Sequence, residues 1–208
     1  MVQLISKHVW VPDELSAKLR NYTPKSDLGK IIRECFRYLP PEMAGDLLDS
    51  ISRTVVLESS LDLTIVWGGG RREPLGIVGC RVITTVGVGY LVDAWQNLVE
   101  LEDQKYHGLG TGSTAEAVGD SALVTELTTE YTGNVRATGT TTEASATVFQ
   151  TVATNTLDGT PGAALREHGI FSANAAGVLW DRTVFSAITL SSGDGLQSTY
   201  NMTASAGG

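Results

Sequence analysis

Apolar residues at Leu28, Ile31, Ile32, Cys35, Phe36 and Leu39 recur at intervals of three and four. That spacing predicts a helix with one buried stripe, capped by Ser26 or Asp27, with Lys30, Arg33, Glu34 and Arg37 on the other face. Pro40-Pro41 ends it and opens a second helix, since proline is tolerated at a first helical position. There Met43, Ala44, Leu47, Leu48 and Ile51 share a side. The two form an αα-hairpin whose stripes need a sheet or a neighbouring chain to cover them. Before it, residues 1–12 read as extended, and Asp13 to Asn21 as a short helix ended by Tyr22-Thr23-Pro24.

From Arg53 the period changes. Thr54–Leu57 and Leu61–Trp67 read as strands, the latter alternating at Leu61, Leu63 and Ile65. Gly68–Pro74 reads as a turn or hinge. Leu75–Thr85 and Gly87–Trp95 read as two buried strands. Tyr106–Leu109 finishes a strand, and Thr111–Ser121 is a small-residue loop. Ala122–Tyr131 suits a short helix or turn. Thr140–Val152 reads as one strand, with Ala144, Ala146, Val148 and Gln150 on one side, and Asn155–Gly162 as a loop. Three more strands follow, at Ala164–Phe171, Val178–Thr189 and Leu196–Ala204, with Ser191–Gly195 as a hairpin turn between the last two. Crowded Thr and Val fit a pleated, half-buried surface. The expected fold is α+β but mainly β. Residues 1–74 form an N-terminal arm, helical hairpin and short strands; residues 75–208 form an antiparallel β-sandwich domain.

Composition narrows the partners. Charged residues are 18% of the chain, below the usual quarter, which suggests surface meant to be covered. Residues 1–105 carry 12 Lys+Arg and 14 Asp+Glu, while 106–208 have no Lys, only Arg136, Arg166 and Arg182, and nine acids. Such a tract is unsuited to neutralising phosphates, so direct nucleic-acid binding is not expected. The longest apolar run, Leu75 to Val92, is interrupted by Arg81 and four glycines, short of the about 18 uninterrupted residues of a membrane span. The N-terminus lacks the plan of a signal peptide, so the two Asn-x-Thr sites are read as chance. Cys35 and Cys80 form no framework and read as buried reduced thiols.

Candidate chemistry is thin. Gly119-Asp-Ser-Ala-Leu123 brushes the signature of one class of serine hydrolases, where Ser121 would need a base such as His168 and an acid such as Asp181. Turn or cap roles for Asp120 and Ser121 are favoured over it. Gly108-Leu-Gly-Thr-Gly112 lacks the Lys-Ser/Thr ending of a phosphate loop and reads as an inter-strand loop. His8, His107 and His168 have no metal-ligand spacing; the latter two read as satisfied sheet residues. No catalytic, cofactor or metal residue is expected. Glu126 and Glu130 are expected to pair with Arg136 or Arg166, fixing the long loop to the sheet. Candidate interface residues are Trp10, Tyr106, His107 and Trp180; Trp10, in the arm, suits an anchor best.

One constellation goes further. It comprises Tyr106-His-Gly-Leu-Gly-Thr-Gly-Ser-Thr-Ala, Ala122-Leu-Val-Thr-Glu-Leu-Thr-Thr-Glu-Tyr, Arg136-Ala-Thr-Gly, Leu165-Arg-Glu-His-Gly-Ile-Phe and the closing Gly-Asp-Gly-Leu-Gln-Ser-Thr-Tyr run. Over roughly residues 80–208, the scale of one domain, it resembles small structural proteins of tailed-bacteriophage virions. The resemblance implies a non-enzymatic β-sandwich built into a virion that is assembled in the bacterial host cytoplasm. The expected role is a capsid decoration (cement) protein, homo-oligomeric, contacting the major capsid protein or other virion proteins. A tail or collar-fibre component is the alternative within the class, and a serine hydrolase acting through Ser121 the rival outside it.

Overall fold

The structure, a computed structural model, describes residues 3–6, 9–11, 14, 37–40, 56–80 and 82–205. They fall into two compact units, Met1–Val56 with Ala204–Gly208, and Leu57–Thr203. In the first, β1 (Gln3–Ser6) and β2 (Val9–Val11) form an antiparallel pair, as expected of an extended N-terminus. Arg37 and Tyr38 are helical and the chain leaves helix before Pro40. The rest of the expected αα-hairpin, and Cys35 with it, lies outside the described residues.

The second unit is mainly β, with two antiparallel five-stranded sheets and one α-helix. The strands are β3 (Val56–Val66), β4 (Arg72–Gly79), β5 (Val82–Ile83), β6 (Tyr106–Gly110), β7 (Ala137–Thr138), β8 (Thr140–Ser145), β9 (Val148–Thr156), β10 (Leu165–Phe171), β11 (Leu179–Ile188) and β12 (Gly195–Ser205). One sheet runs β5-β11-β10-β6-β7, the other β4-β3-β12-β9-β8. Alternation decides what lies between them. Leu61, Leu63 and Ile65 from β3 meet Leu109 from β6 and Leu165, Phe185 and Ile188 from β10 and β11 in one buried cluster. The strands at 165–171, 179–188 and 195–205 match the β-branched runs that predict them.

Five expectations are corrected. Gly87–Trp95 belongs to a helix, α1 (Thr85–Trp95), not a strand. The Thr84 hydroxyl caps it, accepting from Gly87 N at 2.9 Å while donating to Leu179 O at 2.6 Å. A Cβ at Gly87 would sit 2.6 Å from Trp180 O, so only glycine lets the helix lie this close to β11. Thr140–Val152 is not one strand but the β8–β9 hairpin, with Ala146 and Thr147 at its turn. Ser191–Gly195 does not close a hairpin; it carries the chain from β11 in one sheet to β12 in the other. Gly68–Gly70 form the tight β3–β4 turn, and Arg72–Pro74 are already paired in β4. Cys80 is exposed rather than buried, because it lies in the short gap between β4 and β5.

Candidate functional site

The long excursion from Thr111 to Arg136 covers Glu167 on the outer face of the sheet that contains β6 and β10, and then sends Leu127 and Tyr131 into the core cluster. It holds no helix, contrary to the helical option for Ala122–Tyr131; bends and two isolated bridges, Gly110↔Glu126 and Tyr131↔Leu157, replace it. Its backbone donors find partners in a buried side chain instead. The fully buried Glu167 carboxylate accepts from Gly112 N (3.1 Å), Val124 N (3.0 Å) and Thr125 N (2.8 Å). Strand alternation puts Glu167 on this face, and a Cβ at Gly110 or Gly112 would fall 2.5 Å from its Oε1. The strand expected at Tyr106–Leu109 runs on through Gly110, taking that much of the expected inter-strand loop, and Gly110 and Gly112 are small so that a carboxylate can lie over them.

Glu167 is paired with Arg182 of β11 at 2.9 Å. The Arg182 guanidinium also reaches Asp120 Oδ2 (2.9 Å) and Thr114 O (2.9 Å). Burial pulls Arg182 down, but Asp120 and Glu167 outweigh it and hold its pKa above the ordinary value. Burial likewise pushes Asp120 up; Ala117 N and Arg182 outweigh it and hold its pKa below the usual carboxylate value. Asp120 thus has the turn role expected of it, accepting from Ala117 N at 2.9 Å.

Arg136 fixes the far end. It forms a two-point pair with Glu126, donates to Ala173 O (3.0 Å) and Ala176 O, and stacks 3.3 Å over the Phe171 ring. The expected Glu126–Arg136 pair is thus present. Arg166 is exposed.

A second polar layer lies between the sheets. His107 Nδ1 and His168 Nε2 are 3.0 Å apart, and His107 Nε2 is 3.1 Å from Thr151 Oγ1 on the opposite sheet. Asn155 of β9 donates to His107 O at 3.0 Å. Burial, and for His107 also the neighbouring ring, holds both imidazoles below their ordinary pKa, His168 at about 3. Further along, Asp181 accepts from Ser59 (2.6 Å), Thr183 (3.2 Å) and Tyr200 (3.3 Å), and Trp180 Nε1 donates to Tyr200 Oη at 3.0 Å. Trp180 and Asp181 both reach Tyr200 because the register between β10 and β11 shifts between Ile170 and Phe171. Burial pushes the Asp181 carboxyl up to about 6 against its three donors, with Glu116 adding to the rise.

This places the residues singled out from sequence. His107 and Trp180 are 0% and 2% exposed, so they join the sheets of this chain and offer no surface to a partner. Tyr106 is half-buried against Leu123, Phe171 and Leu179. Trp10 lies in β2, and its side chain is outside the described residues. Ser121 is exposed, while His168 and Asp181 are committed to the partners just given; the three are not brought together. Among the described residues no cluster of three or more His, Cys, Asp and Glu is placed to hold a metal.

What the sequence reading missed is the apolar ridge of α1. Val88, Val92 and Trp95, spaced by four and three, lie on one face and are exposed, Trp95 by 76%. Leu98 (68%) and Leu101, in the segment that follows the helix, are exposed as well. Reading this segment as a buried strand hid the 3.6-residue period that would have shown it. A groove of about 530 Å³, lined by Ile65, Trp67, Leu75, Val78 and Ile188 among others, opens between β4 and β11.

No protein-family model matches this chain, and no curated protein matches it significantly.

Proposed function

We propose that the chain is a virion structural protein of a tailed bacteriophage, a capsid decoration protein that bridges capsid subunits. The observation that carries the reading is the contrast between its polar and apolar groups. The charged residues of residues 106–208 that are buried are spent inside the fold, on Glu167–Arg182, on Arg136 with Glu126, and on Asp181. Val88, Val92 and Trp95 on one face of α1, and Leu98 and Leu101 after it, are exposed. Exposed apolar side chains gathered in one patch mark surface that a partner covers, and Trp is favoured at the centre of such contacts. In this reading the major capsid protein or a neighbouring virion protein covers these residues, and copies of the chain assemble as a homo-oligomer. No catalytic step is assigned to the sandwich.

The test is location and attachment. Labelled protein should decorate the head in imaged particles, and Trp95→Asp should abolish attachment while leaving the fold intact. Label confined to the tail would move the reading to a tail or collar-fibre component. Hydrolase activity lost on Ser121→Ala would replace it with an enzyme.

A further inference from the structure

We propose that the His107–His168 pair is a proton-operated latch between the two sheets. The seam admits the pair only in its neutral state and in one tautomer, and the sandwich loosens when acid supplies a further proton.

The argument is a count of hydrogens. Two neutral imidazoles bring two N–H groups to four ring nitrogens. The line of contacts runs from His168 Nε2 to His107 Nδ1 (3.0 Å) and from His107 Nε2 to Thr151 Oγ1 (3.1 Å). His168 Nδ1 is buried with no partner. Placing a proton there would strand an N–H without an acceptor, which costs more than stranding a lone pair. Both protons therefore sit on Nε2: His168 Nε2–H donates to His107, and His107 Nε2–H donates to Thr151. The arrangement is then full. A third proton on His107 Nδ1 sets N–H against N–H across 3.0 Å. On His168 Nδ1 it creates a buried cation with no acceptor. Either event breaks a contact at the seam, because His107 is the ring that reaches Thr151 on the other sheet and its carbonyl holds Asn155.

The one carboxylate in the layer is already engaged with other donors and does not pair with the cation. The titratable groups in the same layer are Asp181 from β11 and Tyr200 from β12, already joined to each other, and Tyr131, whose hydroxyl donates to Leu109 O at 2.9 Å. Thr151, Asn155 and Ser198 from β9 and β12, and Thr183 from β11, carry no charge. Glu167 and Arg182 pair with each other on the opposite face of the β6–β10–β11 sheet. Gly139, where the chain crosses between sheets, closes the remaining space: a Cβ there would lie 2.0 Å from Thr151 Oγ1 and 2.9 Å from His107 Nε2.

The sign follows from proton linkage. Both histidines have folded pKa values below the unfolded value of about 6.5, so the unfolded chain takes up their protons first. Their stabilisation is complete above that pH and is lost as pH falls towards their folded values. Asp181, raised to about 6, acts oppositely, gaining stability as pH falls from about 6 to its unfolded value near 3.9. Two protons against one leave a net of one, so the unfolding constant should rise about tenfold per pH unit between pH 6 and 4.

The experiment is urea unfolding of the full chain at pH 8 to 4.5, in a His8→Asn background so that the pair are the only imidazoles. The expected result is a midpoint that holds above pH 6.5 and falls below it, with the fall abolished in the His107→Gln/His168→Gln double variant. A midpoint flat to pH 4.5, or a fall that survives the double variant, overturns the proposal. Should the variant not fold, ¹⁵N NMR of the His8→Asn protein decides. Two neutral Nε2–H rings down to pH 5 support the latch; an imidazolium in the folded protein above pH 5, or an Nδ1–H ring, refutes it.

Discussion

Replacing Glu167 by Gln is the most searching single test of how the outer face is held. The change keeps shape and volume and removes one acceptor and one charge. Glu167 now accepts from three backbone N–H groups and pairs with Arg182, itself only 1% exposed at the side chain. A glutamine can keep the two bonds at Oε1, to Gly112 and Thr125. Its NH₂ group then faces Val124 N and Arg182, both donors. One stranded backbone N–H costs about 1–3 kcal/mol, and breaking a buried pair from one side costs about 3–5 kcal/mol. Asp120 and Thr114 O keep Arg182 partly satisfied, so the lower end, about 4 kcal/mol in total, is expected. With a urea slope of about 2 kcal/mol per molar, the unfolding midpoint should drop by about 2 M at unchanged slope. Arg166→Ala, one residue away but exposed, should stay within about 0.5 kcal/mol of the parent. A loss below about 1 kcal/mol for Glu167→Gln, or equal losses for both variants, would refute the argument that this carboxylate anchors the excursion.

Two further outcomes follow from close approaches. Gly87→Ala should destabilise by at least about 1–3 kcal/mol, because its methyl would overlap backbone rather than a side chain that can turn away; a thermal melt equal to the parent's would show that α1 can shift off β11. Cys80 should react with a thiol reagent in the native protein, and Cys80→Ser should remove that phase; slow labelling that tracks global unfolding would place the thiol inside after all.

The strands were legible where β-branched residues alternate between Gly- and Asn-rich breaks, as at 165–171 and 179–188. The helix α1 was not, because Val86, Val88 and Val92 with two glycines have the local preferences of a strand. What makes it helical is tertiary: the Thr84 cap held by Leu179 O and the fit of Gly87 over Trp180. The Glu126–Arg136 pair could be anticipated because its members are ten residues apart within one loop. Glu167–Arg182 and His107–His168 could not. A buried charge and a solvated one look alike in sequence, and His107 finds His168 only through the pairing of β6 with β10, 61 residues away.

The charges left on the outside are out of balance. Of the three cations in residues 106–208, Arg136 and Arg182 are enclosed, and Arg166 alone reaches solvent. Glu143 and Asp158 are exposed, and Glu130 and Asp194 partly so. Glu167 and Asp181 are enclosed with the two arginines, so the buried charges balance and, towards anything that approaches, this half of the molecule still behaves as a polyanion. Attachment to a basic surface should therefore be fast in dilute buffer and slow markedly as salt is added.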